Sequence, residues 1–443
     1  MHYEDGASRQ AGEEEYRDGY SDSSSGTAIH GLKRIRTNGS YDDRTKFSLY
    51  EKLISTDNTK NIISVEFTIP EGKYLSIFAI SAYDINSPIP EAGTVYMIPN
   101  SHLDTQWNWT VETSIDQYVK NTLEKNVELF EKYPGYRFNF EGSIKYKFAK
   151  EYYPELYEKL KGYIASGQWN ISGGSVDANE VMVSSSESII RNFLYGQEYY
   201  KKEFGVKGGD DIMLPDCFGF PYSLPTLVSH CGVIGFHSAK LGWGSAYDLN
   251  SLPNFGVWRG VDGSEIFAVY KPGAYDTESK YRKNLAYDSD ILSEINSNKS
   301  NYSVASSFRY IGNVGDRGGA VADETAEWLT KSANNNGPVK VKLATPTEFF
   351  NSITPAEKNT MHVWNNELPM ETHGVGCYTS QTILKYWNRK NELLADATEK
   401  SSVLAHWLGG LPYQSEPIRN SWTNVLWHQF HDDLPGTSIP QAY

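Results

Sequence analysis

Four stretches of the chain gather side chains that could hold a cation or move protons. Asn100-Ser101-His102-Leu103-Asp104 places an imidazole and a carboxylate two residues apart. In an extended segment such residues point to the same side, so His102 and Asp104 could grip one hard-to-borderline cation; a hydrogen-bonded surface histidine has the same spacing. Asp216 lies in Pro215-Asp216-Cys217-Phe218-Gly219, which suits a catalytic carboxylate and equally an Asx-turn or helix cap. Asp316 precedes the glycines of YIGNVGDRGGA, as an acid or as a plain turn residue. GDRGG has the spacing of neither a P-loop nor a dinucleotide fingerprint. Finally, Trp427-His428-Gln429-Phe430-His431-Asp432-Asp433 sets histidines and aspartates near a helix end, where they serve a metal or answer the helix dipole.

Composition narrows the class of protein. The 443 residues suffice for two or three domains and a large core. Net charge is −14, and no Lys/Arg cluster offers the basic face that nucleic acid requires. Cys217, Cys231 and Cys377 lie far apart, forming neither a CxxC pair nor a thiolate metal site. No apolar run reaches the roughly 18 residues of a membrane span. The polar start MHYEDGASRQAGEEEYRDGY has no signal-peptide core, so a periplasmic or secreted location is favoured only if a leader has been removed. The compartment and self-association into a homo-oligomer stay open. With 11 Trp and 31 Tyr the chain suits sugar faces, although a large aromatic core has the same composition.

The elements that must position the four stretches can be read from periodicity. Residues 1–45 are rich in Ser, Gly, Asp and Glu and predict a poorly ordered segment. Residues 46–92 hold a β-hairpin pattern around Pro70-Glu71-Gly72 and then the linker SPIPEAG. From residue 93 to about 355, strands at 94–99, 137–142, 168–174, 211–216 and 233–238 alternate with helices at 116–134, 149–167, 185–205 and 223–232. Pro154 divides the second helix, and Ser185 and Gly205 cap the third. Such alternation signals βαβ units and a parallel sheet, closed as a barrel or doubly wound. Residues 356–443 read as helical, with one long pattern over 379–410 and another starting at 421. In parallel α/β folds, ligands bind at the C-terminal ends of the strands, where His102, Asp104, Asp216 and Asp316 are expected.

Taken together, HLDTQW, LPDCFGF, GDRGG and QFHDDLPGTS stand in the order and rough spacing of glycoside hydrolase family 38. YGQEYYKKEFG and YTSQTILKYWNRKNE add to a resemblance that runs from about Val95 to the end. The resemblance implies an incomplete seven-stranded (β/α) barrel, followed by the start of a helical bundle and preceded by a short β-rich segment. It also implies a retaining α-mannosidase acting on α-mannoside oligosaccharides. His102, Asp104, Asp216 and His431 resemble the four ligands of one zinc ion. Asp216 matches the nucleophile and Asp316 the general acid/base. Trp107 and Phe218 match walls of the sugar pocket, and Asp432 a carboxylate that takes a sugar hydroxyl. A retaining glycosidase needs two carboxyl groups about 5–5.5 Å apart, one ionised and one protonated.

Three departures accompany the resemblance. Arg317 stands where many members have glycine. GGSVDANEVMVSSSES (173–188) is altered, which weakens the match at Asp177 and Asn179. Members also continue past the point matched by Tyr443 through more helices and β-sandwich domains, so the helix from 421 is expected to lack partners. Two other readings fit the strand-end His/Asp set: a metal-dependent carbohydrate deacetylase and an inactive, truncated sugar-binding fragment.

Overall fold

The computed structural model describes residues 90–244 and 252–443, with the shorter stretches 2–3, 27–35, 41–50, 62–69 and 71–72. The chain divides into two compact units, Met1–Pro90 with Arg282–Asn284, and Glu91–Tyr281 with Leu285–Tyr443.

In the first unit, Thr27–Ile35 pairs antiparallel with Tyr41–Tyr50, and His2–Tyr3 with Ile62–Ser64. Composition alone predicts little regular structure before residue 45, yet a ladder forms there. Of the hairpin expected around Pro70-Glu71-Gly72, Ile62–Ser64 is strand and residues 71–72 are a turn, while 65–69 are neither strand nor helix. Its second arm, 73–84, lies outside the described residues, as do 87–89 of the linker.

The second unit is α/β. Its strands are β1 (Gly93–Pro99), β2 (Phe138–Phe140), β3 (Trp169–Ile171), β4 (Asp211–Met213), β5 (Gly235–His237), β6 (Phe255–Arg259), β7 (Glu265–Val269), β8 (Ser306–Ile311) and β9 (Val339–Leu343). β1 runs between β8 and β9, β2 beside β3, and β4 and β7 on either side of β5, all parallel. Side chains on both faces of β1 from Val95 onward are buried, as expected of a parallel strand covered by helices. The exception to the alternation is β6, which forms an antiparallel hairpin with β7. Backbone contacts join the groups: Asn100 bridges Asn139, Gly209 N–H donates to Ile171 at 2.9 Å, and Tyr310 N–H donates to Pro272 at 2.7 Å. The strands thus form an incomplete barrel, with no closed ring of pairing among the described residues.

The helices are α1 (Lys120–Lys132), α2 (Ser143–Tyr152), α3 (Pro154–Ser166), α4 (Ser186–Phe204), α5 (Leu224–His230), α6 (Ser289–Tyr302), α7 (Asp323–Ala333), α8 (Pro346–Ser352), α9 (Thr382–Gly409) and α10 (Ser415–Trp427). Pro154 breaks α2 from α3 by taking the first position of the new helix, where its missing N–H costs nothing. Ser185 Oγ caps α4 by accepting from Ser188 N–H at 3.2 Å, and Gly205 ends it in the left-handed conformation. No helix among the described residues is long and apolar enough to cross a membrane.

Helix α10 differs from expectation in two ways. It starts at Ser415, because Pro417 falls in the first turn, where proline is tolerated. It also has partners: Ile418, Trp422, Val425 and Leu426 are buried with Val176, Tyr195 of α4 and Ala395 of α9. The Arg191 guanidinium lies 4.3 Å from the Trp422 ring, and Trp422 Nε1 donates to Glu399 at 3.0 Å.

Candidate active site and metal centre

Two backbone seams assemble the site at the C-terminal ends of the strands. In the first, the loops after β1 and β8 are zipped together. Asp104 N–H donates to the Asp316 carbonyl at 2.9 Å, Gly318 N–H donates to the His102 carbonyl at 2.7 Å, and Leu103 bridges Arg317. In the second, the chain after α10 pairs with the loop after β3. Glu180 N–H donates to Gln429 at 2.8 Å, His431 N–H to Ala178 at 3.3 Å, and Asn179 bridges Phe430. Asp216 stands three positions beyond β4, fixed by the sheet.

These seams bring His102, Asp104, Asp216 and His431 together, all buried, each with a ligand atom within 4.8 Å of the others. His431 Nδ1 lies 2.8 Å from the Ala178 carbonyl. A carbonyl only accepts, so Nδ1 carries the hydrogen and the Nε2 lone pair faces the cluster. Asp104 Oδ1 is 2.8 Å from His102 Nε2 and 3.2 Å from His431 Nε2. Even so, none of these three buried atoms has a partner with hydrogen-bond geometry. Stranded donors and acceptors are costly unless something else satisfies them. Two imidazoles and two carboxylates aimed at one point fit a borderline divalent cation.

Electrostatics favour the same occupant. Burial works against charge on His431, but Asp104, Asp432 and Asp216 raise its pKa to about 10. Burial likewise opposes ionisation of Asp104, yet the His102 imidazole beside it holds the carboxyl well below its usual range. The pocket therefore attracts positive charge, which a cation would supply in place of protons.

Asp216 Oδ2 lies 3.8 Å from His431 Nε2. Oδ1 accepts from the buried ammonium of Lys240 and from Tyr275 Oη at 2.8 Å. The same Tyr275 hydroxyl is 3.0 Å from Asp316 Oδ1. Burial raises the Asp316 carboxyl above its ordinary range; Asp104 and Asp216 add to this and His102 opposes it. Lys240 Nζ lies 4.7 Å from the Phe218 ring and 4.6 Å from the Trp243 ring. Sequence reasoning missed both Lys240 and Tyr275. For Lys240 a signal existed, since it sits just past the C-terminal end of β5.

The remaining predicted residues surround this centre. The Phe218 ring is 6.3 Å from His431. Asp432 Oδ2 is 3.7 Å from His431 Nε2, its other oxygen accepts from Thr437 Oγ1, and burial together with Asp104 pushes its pKa up to about 8. Trp107 stacks edge-on against Trp109 at 5.9 Å, and its carbonyl accepts from Ile439 N–H at 2.9 Å, so it joins the two loops that flank the site. His428 is exposed and outside the cluster, 3.7 Å from Asp433. Asp433 takes both its bonds from Gln106 Nε2 at 2.8 Å. Asp177 is held by Lys145 Nζ at 2.7 Å and by Thr105 Oγ1, and Asn179 donates to Leu426 at 3.0 Å; both support loops.

Residues 92–367 match the glycosyl hydrolases family 38 N-terminal domain, and residues 371–443 match the alpha mannosidase middle domain. The chain belongs to glycosyl hydrolase family 38. It is 32% identical over 352 residues to Alpha-mannosidase G of Dictyostelium discoideum, covering 79% of this chain and 31% of that protein. It is 27% identical over 349 residues to Alpha-mannosidase 2C1 of Homo sapiens, covering 78% and 32%. The fold is similar to that of an alpha-mannosidase from Enterococcus faecalis V583, with TM-score 0.65 and 17% identity over 79% of this chain and 40% of that one. The chain thus spans about a third of the length of the curated relatives it matches.

Proposed function

We propose that this chain is the catalytic part of a metal-dependent retaining α-mannosidase that removes terminal α-linked mannose from oligosaccharides. The observation that carries the reading is the juxtaposition of the buried His102–Asp104–Asp216–His431 cluster with a second carboxyl, Asp316, across one tyrosine hydroxyl. Family membership and the named α-mannosidases among its relatives support the substrate class.

When bound by those four residues, a zinc ion would supply Lewis-acid contact to the O2 and O3 hydroxyls, which are cis in mannose. The chain's own residues do the rest. Asp216, fixed behind β4, attacks the anomeric carbon while Asp316 gives its proton to the departing oxygen. Burial of Asp316 favours the protonated form this step needs. Asp316 then takes a proton from water as water displaces Asp216, so configuration is retained. Phe218 and Trp107 wall the sugar, and Asp432 accepts from a sugar hydroxyl. A carbohydrate deacetylase would need a histidine acid where Asp316 stands.

The test is a panel of aryl glycosides and mannobioses, assayed on the full-length protein with and without chelator. Cleavage of α-mannosides only, with retention seen by NMR and loss on chelation, is expected. Deacetylation without glycoside cleavage, or inversion, sinks the reading. So does sugar binding without turnover in the metal-loaded protein.

A further inference from the structure

We propose that Tyr275 is a positioning residue that couples the two carboxylates, its one hydroxyl hydrogen turning toward whichever of Asp216 and Asp316 carries negative charge. The proposal rests on the roles assigned above to those two residues.

The geometry is restrictive. Tyr275 Oη is 2.8 Å from Asp216 Oδ1 and 3.0 Å from Asp316 Oδ1. A phenol has one hydrogen, so it cannot donate to two anions at once. If both carboxylates were ionised, one would face a phenol lone pair at hydrogen-bond distance. Two arrangements satisfy all three groups. In one, Tyr275 donates to ionised Asp216 and protonated Asp316 donates to Tyr275 Oη. In the other, Asp216 is no longer an anion and Tyr275 donates to ionised Asp316.

These arrangements are the states on either side of the first chemical step. As Asp216 forms its bond to the anomeric carbon, the bond from that carbon to the leaving oxygen breaks and takes the Asp316 proton. Negative charge thereby moves from Asp216 to Asp316. Tyr275 can follow it by rotating its O–H, while its hydrogen stays on Oη. When water displaces Asp216 and Asp316 takes the proton, the hydroxyl turns back.

The surroundings permit that rotation but hold the ring. Tyr275 is buried and packs edge-on against His102 at 5.2 Å. The ammonium of Lys240 also donates to Asp216 Oδ1. His102 and Asp104 act on Asp316, and His431 Nε2 lies 3.8 Å from Asp216 Oδ2.

The experiment is Tyr275→Phe in the full-length protein, read across aryl α-mannosides of graded leaving-group ability. Loss of the switching bond should lower kcat/KM about 3-fold for activated nitrophenyl mannosides and ~100-fold for poor leaving groups, because only the latter need full proton donation. Turnover of a trapped fluoromannosyl-enzyme should slow too, and metal content should not change. A uniform loss across leaving groups, or an unchanged rate of turnover of the trapped species, overturns the proposal. If Tyr275→Phe misfolds or loses metal, a ring-difluorinated tyrosine at this position keeps the shape and strengthens the donor. With it, turnover of the trapped species should stay near wild type, and a loss as large as that expected of the phenylalanine variant on poor leaving groups also overturns the proposal. Labelling of a carboxylate other than Asp216 would instead show that the underlying assignment of roles has failed.

Discussion

The N–H of Gly318 donates to the carbonyl of His102 at 2.7 Å. Through this bond and its neighbour at Asp104, the loop with the candidate acid and the loop with two candidate metal ligands behave as one strip of backbone. Gly318 has φ +67, and a Cβ there would stand 2.4 Å from Thr122 Oγ1. Thr122 cannot retreat easily, because its hydroxyl also accepts from Gly319 N–H at 2.7 Å and donates to Tyr118 at 2.6 Å. Gly318→Ala should therefore cost about 1–3 kcal/mol through strain and collision. A lower melting temperature should accompany weaker metal binding and lower activity, seen by calorimetry and zinc titration. A stable variant with intact metal affinity would show that the strip is not rigid.

Asp216→Asn should abolish turnover, by about 10⁴-fold or more, on good and poor leaving groups alike. Metal affinity should fall as well, because the amide lacks the charge that faces the cluster. His431→Ala should weaken the metal while leaving the Asp216 carboxylate in place. Metal analysis of the two purified variants, with mechanism-based labelling, separates the effects. Labelling of a residue other than Asp216 in the wild-type protein would remove its assignment as nucleophile.

If Asp316 is the general acid proposed above, it should set the alkaline side of the pH profile. A general acid works below its pKa and is lost as pH rises through it. Because burial raises Asp316, the decline in kcat/KM should lie above the ordinary carboxylate range. In Asp316→Asn that limb should vanish, with activity on activated aryl mannosides far less affected than on poor leaving groups. A variant that keeps the wild-type limb would assign the ionisation elsewhere.

The sequence made much of this site legible, for a physical reason. Strand ends in a parallel sheet are fixed points, so His102, Asp104, Asp216 and Asp316 could be placed from the apolar runs before them. Lys240 escaped because a lysine after GFHSA reads as solvent-exposed, whereas here its ammonium meets Asp216 and the Phe218 ring, both distant in sequence. Tyr275 escaped because KPGAYD reads as a turn, while its partners lie at positions 216 and 316. The β6–β7 hairpin did carry a local signal, since Asp262-Gly263 lies between apolar runs and Gly263 has φ +87. The helical pattern from 421 misses the first turn of α10, which begins at Ser415 and holds Pro417.

Packing beneath the second seam can be tested at Trp422, which is 1% exposed. Trp422→Ala should cost about 3–5 kcal/mol through the cavity it leaves. The lost contacts with Arg191 and Glu399 add to this. Since α10 leads directly into His431, the variant should also hold metal less tightly, and zinc should recover part of its thermal stability. A variant with reduced stability but unchanged metal affinity would separate the helix from the site.

The pairing of His431 with Ala178 joins positions 253 apart in the chain. During synthesis, the ribosome releases His102, Asp104 and Asp216 long before it makes His431, the fourth member of the cluster. A nascent barrel therefore offers at most three of the four groups. If the cluster holds a metal as proposed, the full set of groups that would select among divalent ions exists only once the helical segment docks.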